Sequence, residues 1–268
     1  DPRSHILVAG DGADDIGRAS GGWTLTWQGT GIGNDKFPGA TSILQGIEDA
    51  VSAANGTVRH APDGSFEKKP DAAIVIFGET PYAEFQGDLK TLQLKPELKG
   101  PLATMRKLQA QDVPVVAVFL TGRPLWTNEE INASDAFVTA WLPGSEGGGV
   151  ADVLFRDKDG KVAHEFTGKL SFSWPMTADA KGPRLFELGY GLNSASRSDL
   201  DMLPEDSGVV GQESSAGTFF DKGLPTASWS LLVSDGQSDR TRITTTPAEA
   251  IGGRVQIKAV DHLTQEGA

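Results

Sequence analysis

The chain has 268 residues, a formal net charge of −12 and no cysteine. Its length can bury one sizeable α/β core with room for a small second module, while the missing cysteine excludes a disulfide framework and thiolate metal sites. The acidic balance without clustered Lys/Arg argues against a nucleic-acid partner, no apolar run approaches the roughly 20 residues of a membrane span, and 33 glycines announce long irregular loops.

The chain begins Asp1-Pro2, with neither methionine nor signal peptide, so we expect a processed end within a longer parent. His5–Ala9 is a short apolar run that predicts a buried strand, ended by Gly10-Asp11-Gly12. From there to about Pro38 no helical or strand periodicity is present. A loop of that length inside a compact domain is functional or disordered, and Trp23 and Trp27 fit badly with disorder. Gly10, Gly12 and Gly17 are spaced GxGxxxxG rather than GxGxxG, and no acidic residue ends a second strand at the right distance, so a dinucleotide cofactor is not predicted.

Thr41 reads as an N-cap, and Ile43, Leu44, Ile47 and Val51 mark one helical face up to Ala54. A strand near Thr57–His60 and a polar stretch to Pro70 follow. Ala72–Phe77 is an unbroken apolar, β-branched run and predicts a central strand buried on both faces. Gly78-Glu79-Thr80-Pro81 takes the chain out of the sheet there. Ligands of open α/β sheets bind outside the carboxyl ends of strands, so Glu79 stands where chemistry usually happens. A solvated loop glutamate is the ordinary alternative, and Glu84, Asp88, Tyr82 and Phe85 around it weigh against that alternative.

Pro101 suits the first turn of a helix bearing Leu102, Met105 and Leu108 on one face. Val115–Leu120 is another buried strand, leaving into Thr121-Gly122-Arg123-Pro124, and Ala136–Trp141 a further one, leaving into a glycine-rich turn around Glu146. A helix from about Val150 to Phe155 closes that unit. The alternation predicts a mostly parallel sheet with helices on both faces, an α/β sandwich. Beyond Arg156, Lys161–Phe166 reads as a hairpin after Asp159-Gly160, while Gly168–Pro175 and Leu185–Leu192 are irregular and aromatic. Asn193 to Gly211 is linker-like, and Gly217–Phe220, Ser228–Ser234, Arg240–Thr246 and Gly253–Val260 read as the opening strands of an all-β module. We place the domains at 1–205 and 206–268.

Six stretches in order, GGWTLTWQG (Gly21–Gly29), GETPYAEFQGD (Gly78–Asp88), TGRP (Thr121–Pro124), AWLPGSEGGGVADVLF (Ala140–Phe155), GKLSFSWP and FELGYGL, resemble the second, α/β-sandwich domain of glycoside hydrolase family 3. The likeness is to the β-glucan exohydrolase and β-glucosidase branch, and runs from about Arg3 to Asn193. The tail from about Asp206 resembles the β-rich appendage of some bacterial exo-β-glucanases. The resemblance implies a retaining, exo-acting hydrolase that releases glucose from the non-reducing ends of β-glucans and cello- or laminari-oligosaccharides. It also implies an N-terminal (β/α)8 barrel carrying the aspartate nucleophile, with this domain supplying the general acid/base, in an exported enzyme.

The acid/base position of that family matches Glu79, with Glu84 the competing candidate from the same motif. Glu79 is preferred because it lies nearest the fixed strand end, where position is best held. Trp23 matches the tryptophan lining the neighbouring sugar subsite, and Tyr82 is placed with Glu84 among the substrate-binding residues. Trp27, Trp126, Trp141 and Trp174 are read as structural. Arg123 and Glu146 are expected in a salt bridge or a helix-start contact. The four histidines are scattered, so no metal is predicted. No aspartate here matches the barrel nucleophile, and retaining hydrolysis needs two carboxylates roughly 5–5.5 Å apart. Alone, the chain holds half an active site. The alternative is a non-catalytic carbohydrate-binding or interaction module on the same scaffold.

Overall fold

The apolar runs of the sequence assemble, in a computed structural model of the chain, into a five-stranded sheet ordered β2-β1-β3-β4-β5. The strands are β1 (His5–Ala9), β2 (Thr57–His60), β3 (Ala72–Gly78), β4 (Val115–Leu120) and β5 (Ala136–Trp141), and every pairing is parallel. The structure describes residues 1–209 except 158, 197 and 199, and beyond them residues 220–221, 224–225, 230, 232–234, 240–242, 244, 257–258 and 264–265. The chain divides into two compact units, Asp1–Val210 and Gly211–Ala268. No helix among the described residues is long and apolar enough to cross a membrane.

Alternate residues of each strand feed two separate cores, as the period of two requires. Ile6, Val8, Ile74, Ile76, Val118 and Leu120 point to one face and meet α2 (Ile43–Ala53) and α5 (Gly147–Leu154). Leu7, Ala9, Val75, Phe77, Ala117 and Phe119 point to the other and meet Leu102, Met105 and Leu108 of α3 (Gly100–Gln109). The α/β sandwich with helices on both faces is therefore as expected. From β1 the chain crosses to β2 on one side, and from β3 it crosses to β4 on the other. The carboxyl ends of β1 and β3 are thus the switch point of the sheet, where a crevice forms between diverging loops.

The expected loop from Gly10 to Pro38 contains a short helix, α1 (Ile16–Ser20). Asp15 caps it by accepting from the Arg18 backbone, and Asn34 accepts from Ile16 N at 2.9 Å while donating to Asp14. Side-chain bonds between distant residues hold this segment, and no apolar periodicity announces them. The N-cap of α2 is Ser42 rather than Thr41, its hydroxyl accepting from Gln45 N at 3.2 Å. Thr41 instead bridges to Glu146, ahead of α5. That helix starts at Gly147, three residues before the expected Val150, because α2 and α5 cross at backbone contact. A Cβ on Gly147 would lie 2.3 Å from Ser42 C, and one on Gly46 2.6 Å from Gly148 Cα. The glycines that read as a turn are there so that two helices can touch.

A further short helix, α4 (Asn128–Asn132), was not anticipated. The hairpin expected at Lys161–Phe166 is reduced to a single bridge between Arg156 and Val162, since the Asp157 carboxylate accepts from Asp159 N and Lys161 N and closes a turn. The stretches read as irregular carry instead a small antiparallel ladder, β6 (Trp174–Pro175) with β7 (Arg184–Phe186). In the second unit the described residues form three two-stranded antiparallel ladders: Phe220–Asp221 with Leu224–Pro225, Leu232–Ser234 with Arg240–Arg242, and Ile257–Lys258 with Thr264–Gln265. Residues 217–219, 228–229, 231, 243, 245–246, 253–256 and 259–260 of the expected strands lie outside the described residues.

Candidate functional site

Glu79 leaves β3 with its N–H still bonded to Leu120 O of β4 at 3.0 Å, so its backbone is as fixed as the sheet. The residue is only 9% exposed. Oε1 accepts from Arg123 Nη2 at 2.7 Å and Nε at 3.0 Å, and Oε2 lies 2.8 Å from the Thr121 hydroxyl. The Arg123 guanidinium lies over the Tyr82 ring, 4.1 Å from its centroid, and its Nη1 donates to the Gly87 carbonyl. Burial and, after it, the Glu79 carboxylate push the Tyr82 hydroxyl up to about 12. It stays a proton donor at any ordinary pH.

These contacts give Glu79 and Arg123 a common task. Together they tie the ends of β3 and β4 to the loop from Thr80 to Asp88. The salt bridge expected of Arg123 is made. The acid/base role expected of Glu79 meets a physical obstacle, because both of its oxygens are already engaged inside the wall. Proximity to the strand end gives Glu79 rigidity, and its contacts with Arg123 and Thr121 add to it.

Glu84 lies on the outer turn of the same loop and is exposed. The turn is closed by Gly87 N to Ala83 O at 2.9 Å, with Phe85 in the left-handed region at φ 68°. The loop that follows β1 grips it from the side. Trp27 Nε1 donates to Glu84 Oε2 at 2.6 Å. The Gln28 amide donates to the Glu84 carbonyl at 3.0 Å and accepts from Ala83 N at 2.7 Å. Gly22 allows this close approach: a Cβ there would sit 1.9 Å from the Tyr82 carbonyl oxygen.

Around Glu84 the aromatic rings form an open platform. Trp23 is 67% exposed, Phe85 55% and Trp27 45%. Trp23 and Trp27 lie 6.2 Å apart by ring centroids, and Trp27 meets Phe85 edge-on at 6.0 Å. Trp23 and Leu25 also hold positive φ, 62° and 59°. The structure therefore joins Trp23 to Glu84 through Trp27, beside the backbone of Tyr82. It also corrects the reading of Trp27 as structural. The signal was present: Trp27 shares with Trp23 a glycine-rich setting without apolar periodicity. Trp126 and Trp174 are buried and Trp141 is half-buried, as expected of structural residues.

Beside the platform a cleft of about 600 Å³ opens, lined by Asp11, Asp14, Asp15, Arg18, Asn34, Thr80 and Pro81 among others. Arg18 is buried there and paired with Asp11 at 2.7 Å. Among the described residues no group of His, Asp and Glu is placed to hold a metal ion. An exposed carboxylate flanked by aromatic faces can exchange a proton with a ligand whose apolar ring faces stack on the platform.

Residues 1–194 match the family model described as the glycosyl hydrolase family 3 C-terminal domain. The chain is 29% identical over 191 residues to a lysosomal beta glucosidase of Dictyostelium discoideum, covering 65% of this chain and 22% of that protein. It is 31% identical over 153 residues to a periplasmic beta-glucosidase of Salmonella typhimurium, covering 56% of this chain and 19% of that protein. The crystal structure of an exo-1,3/1,4-beta-glucanase (ExoP) from a Pseudoalteromonas species superposes with a TM-score of 0.75 at 43% identity, covering 90% of this chain and 30% of that one. A point variant of that enzyme gives a TM-score of 0.74 at 50% identity, over 77% of this chain and 34% of that one. The chain spans about a fifth of the length of the curated relatives it matches.

Proposed function

Because the chain belongs to glycoside hydrolase family 3, as its C-terminal domain, we propose that it is the acid/base half of a retaining β-glucosidase or exo-β-glucanase. In this reading the nucleophile stands on an N-terminal (β/α)8 barrel of the same parent, which packs over the carboxyl edge of the sheet. Glu84, rather than Glu79, protonates the leaving glycosidic oxygen and afterwards activates water. The observation that carries the assignment is the pairing of an exposed carboxylate with an exposed aromatic platform at the sheet's switch point. An acid must reach its substrate, and Glu84 can, whereas the Glu79 oxygens are spent on Arg123 and Thr121.

Trp23 forms the wall of the sugar subsite beyond the scissile bond. A flat aromatic face recognises a ring without dictating its linkage. That suits the 1,3 and 1,4 linkages named for the Pseudoalteromonas enzyme. The periplasmic and lysosomal relatives support an exported parent.

In the full-length enzyme, Glu84→Ala should reduce hydrolysis of substrates with poor leaving groups by about 10²–10⁴-fold, the usual contribution of one general acid/base. Aryl glucosides with good leaving groups should lose less in the first step, and azide should restore turnover by replacing the activated water. If azide rescues Glu79→Ala and leaves Glu84→Ala unchanged, the assignment is reversed. Full activity in both variants would favour the non-catalytic module.

A further inference from the structure

We propose that Trp27 and Gln28 are positioning residues for the Glu84 carboxylate, Trp27 fixing its orientation and Gln28 fixing the peptide that bears it. The inference rests on the reading of Glu84 as the acid/base. An exposed glutamate on an irregular loop has three side-chain torsions to sample, and proton transfer tolerates little misplacement. Neither a helix nor a strand holds the Glu84 backbone. Two consecutive side chains from the loop after β1 do so instead.

Gln28 binds the 83–84 segment in both senses, accepting from Ala83 N at 2.7 Å and donating to Glu84 O at 3.0 Å. This two-way bridge imitates a step of a β-ladder and fixes where the Glu84 side chain starts. Trp27 then fixes where it ends, with its indole N–H 2.6 Å from Oε2. The indole is itself set by Trp23 on one side and the edge contact with Phe85 on the other, and by the bond from Trp23 N to Trp27 O at 2.9 Å.

With Oε2 held, Oε1 is the oxygen that exchanges protons. In the first step its proton passes to the glycosidic oxygen as the C1–O bond breaks, the bonding pair staying on that oxygen while the barrel carboxylate bonds to C1. In the second, Oε1 takes a proton from the water whose oxygen bonds to the anomeric carbon, as the bond from that carbon to the barrel carboxylate breaks and its pair returns to the carboxylate. The indole donor leaves Glu84 a carboxylate already oriented for the second step. Gln28 touches only the peptide and fixes where the side chain starts.

The test uses the full-length enzyme and aryl β-glucosides of graded leaving-group acidity. Trp27→Phe keeps a ring and removes the N–H. It should lower kcat about tenfold on poor leaving groups, spare dinitrophenyl glucoside, and leave KM nearly unchanged. The ratio of losses across leaving groups does not depend on how much of the variant is folded. Gln28→Ala should lower kcat with the same leaving-group dependence.

Equal losses across leaving groups in Trp27→Phe, or no loss at all, overturn the proposal. Glu84→Ala run alongside separates the two ideas. If Glu84→Ala shows azide rescue while Trp27→Phe behaves as wild type, the positioning role alone falls. If Glu84→Ala shows neither azide rescue nor leaving-group dependence, the acid/base reading falls and takes the positioning role with it.

Discussion

Glu79→Gln is the substitution that separates an anchor from a catalyst. It keeps the shape of the side chain and removes its charge. Arg123 is left facing a neutral amide, with its own side chain 21% exposed and that of Glu79 8%. Removing one partner of a buried ion pair typically costs about 3–5 kcal/mol. The glutamine oxygen still accepts one bond and Arg123 retains Gly87 O and the Tyr82 face, so we expect the low end of that range or just under it, about 2–3 kcal/mol. For a unit the size of Asp1–Val210 that lowers Tm by roughly 4–12 °C. Thermal denaturation of the 268-residue chain would measure it, together with Arg123→Met and the double variant. The double-mutant cycle should return a coupling above about 1 kcal/mol, since the two groups touch directly. A Glu79→Gln protein as stable as wild type, whose full-length form loses hydrolysis and regains it with azide, would refute the reasoning.

Other outcomes follow from the same geometry. Glu130 on α4 is buried with its Oε1 unpartnered, and burial pushes its carboxyl up to about 7 from 4.5. The folded state therefore holds a proton that the unfolded chain releases, so its contribution to stability is full below about pH 4.5 and lost as pH rises through about 7. Glu130→Gln should flatten that slope and gain up to about 3 kcal/mol over wild type at pH 8, read from urea midpoints at pH 5 and pH 8. Trp23→Ala should weaken kcat/KM on disaccharides about five- to tenfold, the worth of roughly 1 kcal/mol of stacking, with aryl glucosides less affected and Tm unchanged; equal losses on both substrates with a fallen Tm would make it a core residue. The 268-residue chain alone should fold and leave β-glucosides intact, and turnover abolished by a substitution within it would overturn the half-site.

Most of the sheet was legible because its strands are continuous apolar runs of β-branched residues, as in Ala72–Gly78 and Val115–Leu120. Such runs state their own burial on both faces. Helices with a stripe, α2 and α3, were legible for the same reason. What escaped was structure held by side chains: α1, capped by Asp15 and tied through Asn34, and α4, whose Asn128 donates to Met176 O and Pro204 O. Partners 18 to 76 residues away leave no local pattern. The motif containing both glutamates was found, and the choice between them rested on distance from the strand end. Distance measures rigidity, whereas accessibility depends on partners such as Arg123 and Thr121, and neither neighbours Glu79 in sequence.

The platform argues for use by what it costs. Trp23, Leu25 and Phe85 all hold left-handed backbone, at about 1–2 kcal/mol each for a residue with a Cβ. The two tryptophans and Phe85 also leave large apolar faces in water. Backbone strain of this kind persists where surroundings over-determine it, and the surroundings here are the Gln28 bridge, the indole bond to Glu84 and the backbone contact at Gly22. Each of these contacts joins the loop after β1 to the loop after β3, and all of them converge on the turn that bears Glu84. A scaffold kept only for its sheet would relieve the strain with glycine at these positions and bury its aromatic residues. Strain concentrated around one exposed carboxylate, at the point where the sheet's connections diverge, is consistent with the role proposed for Glu84.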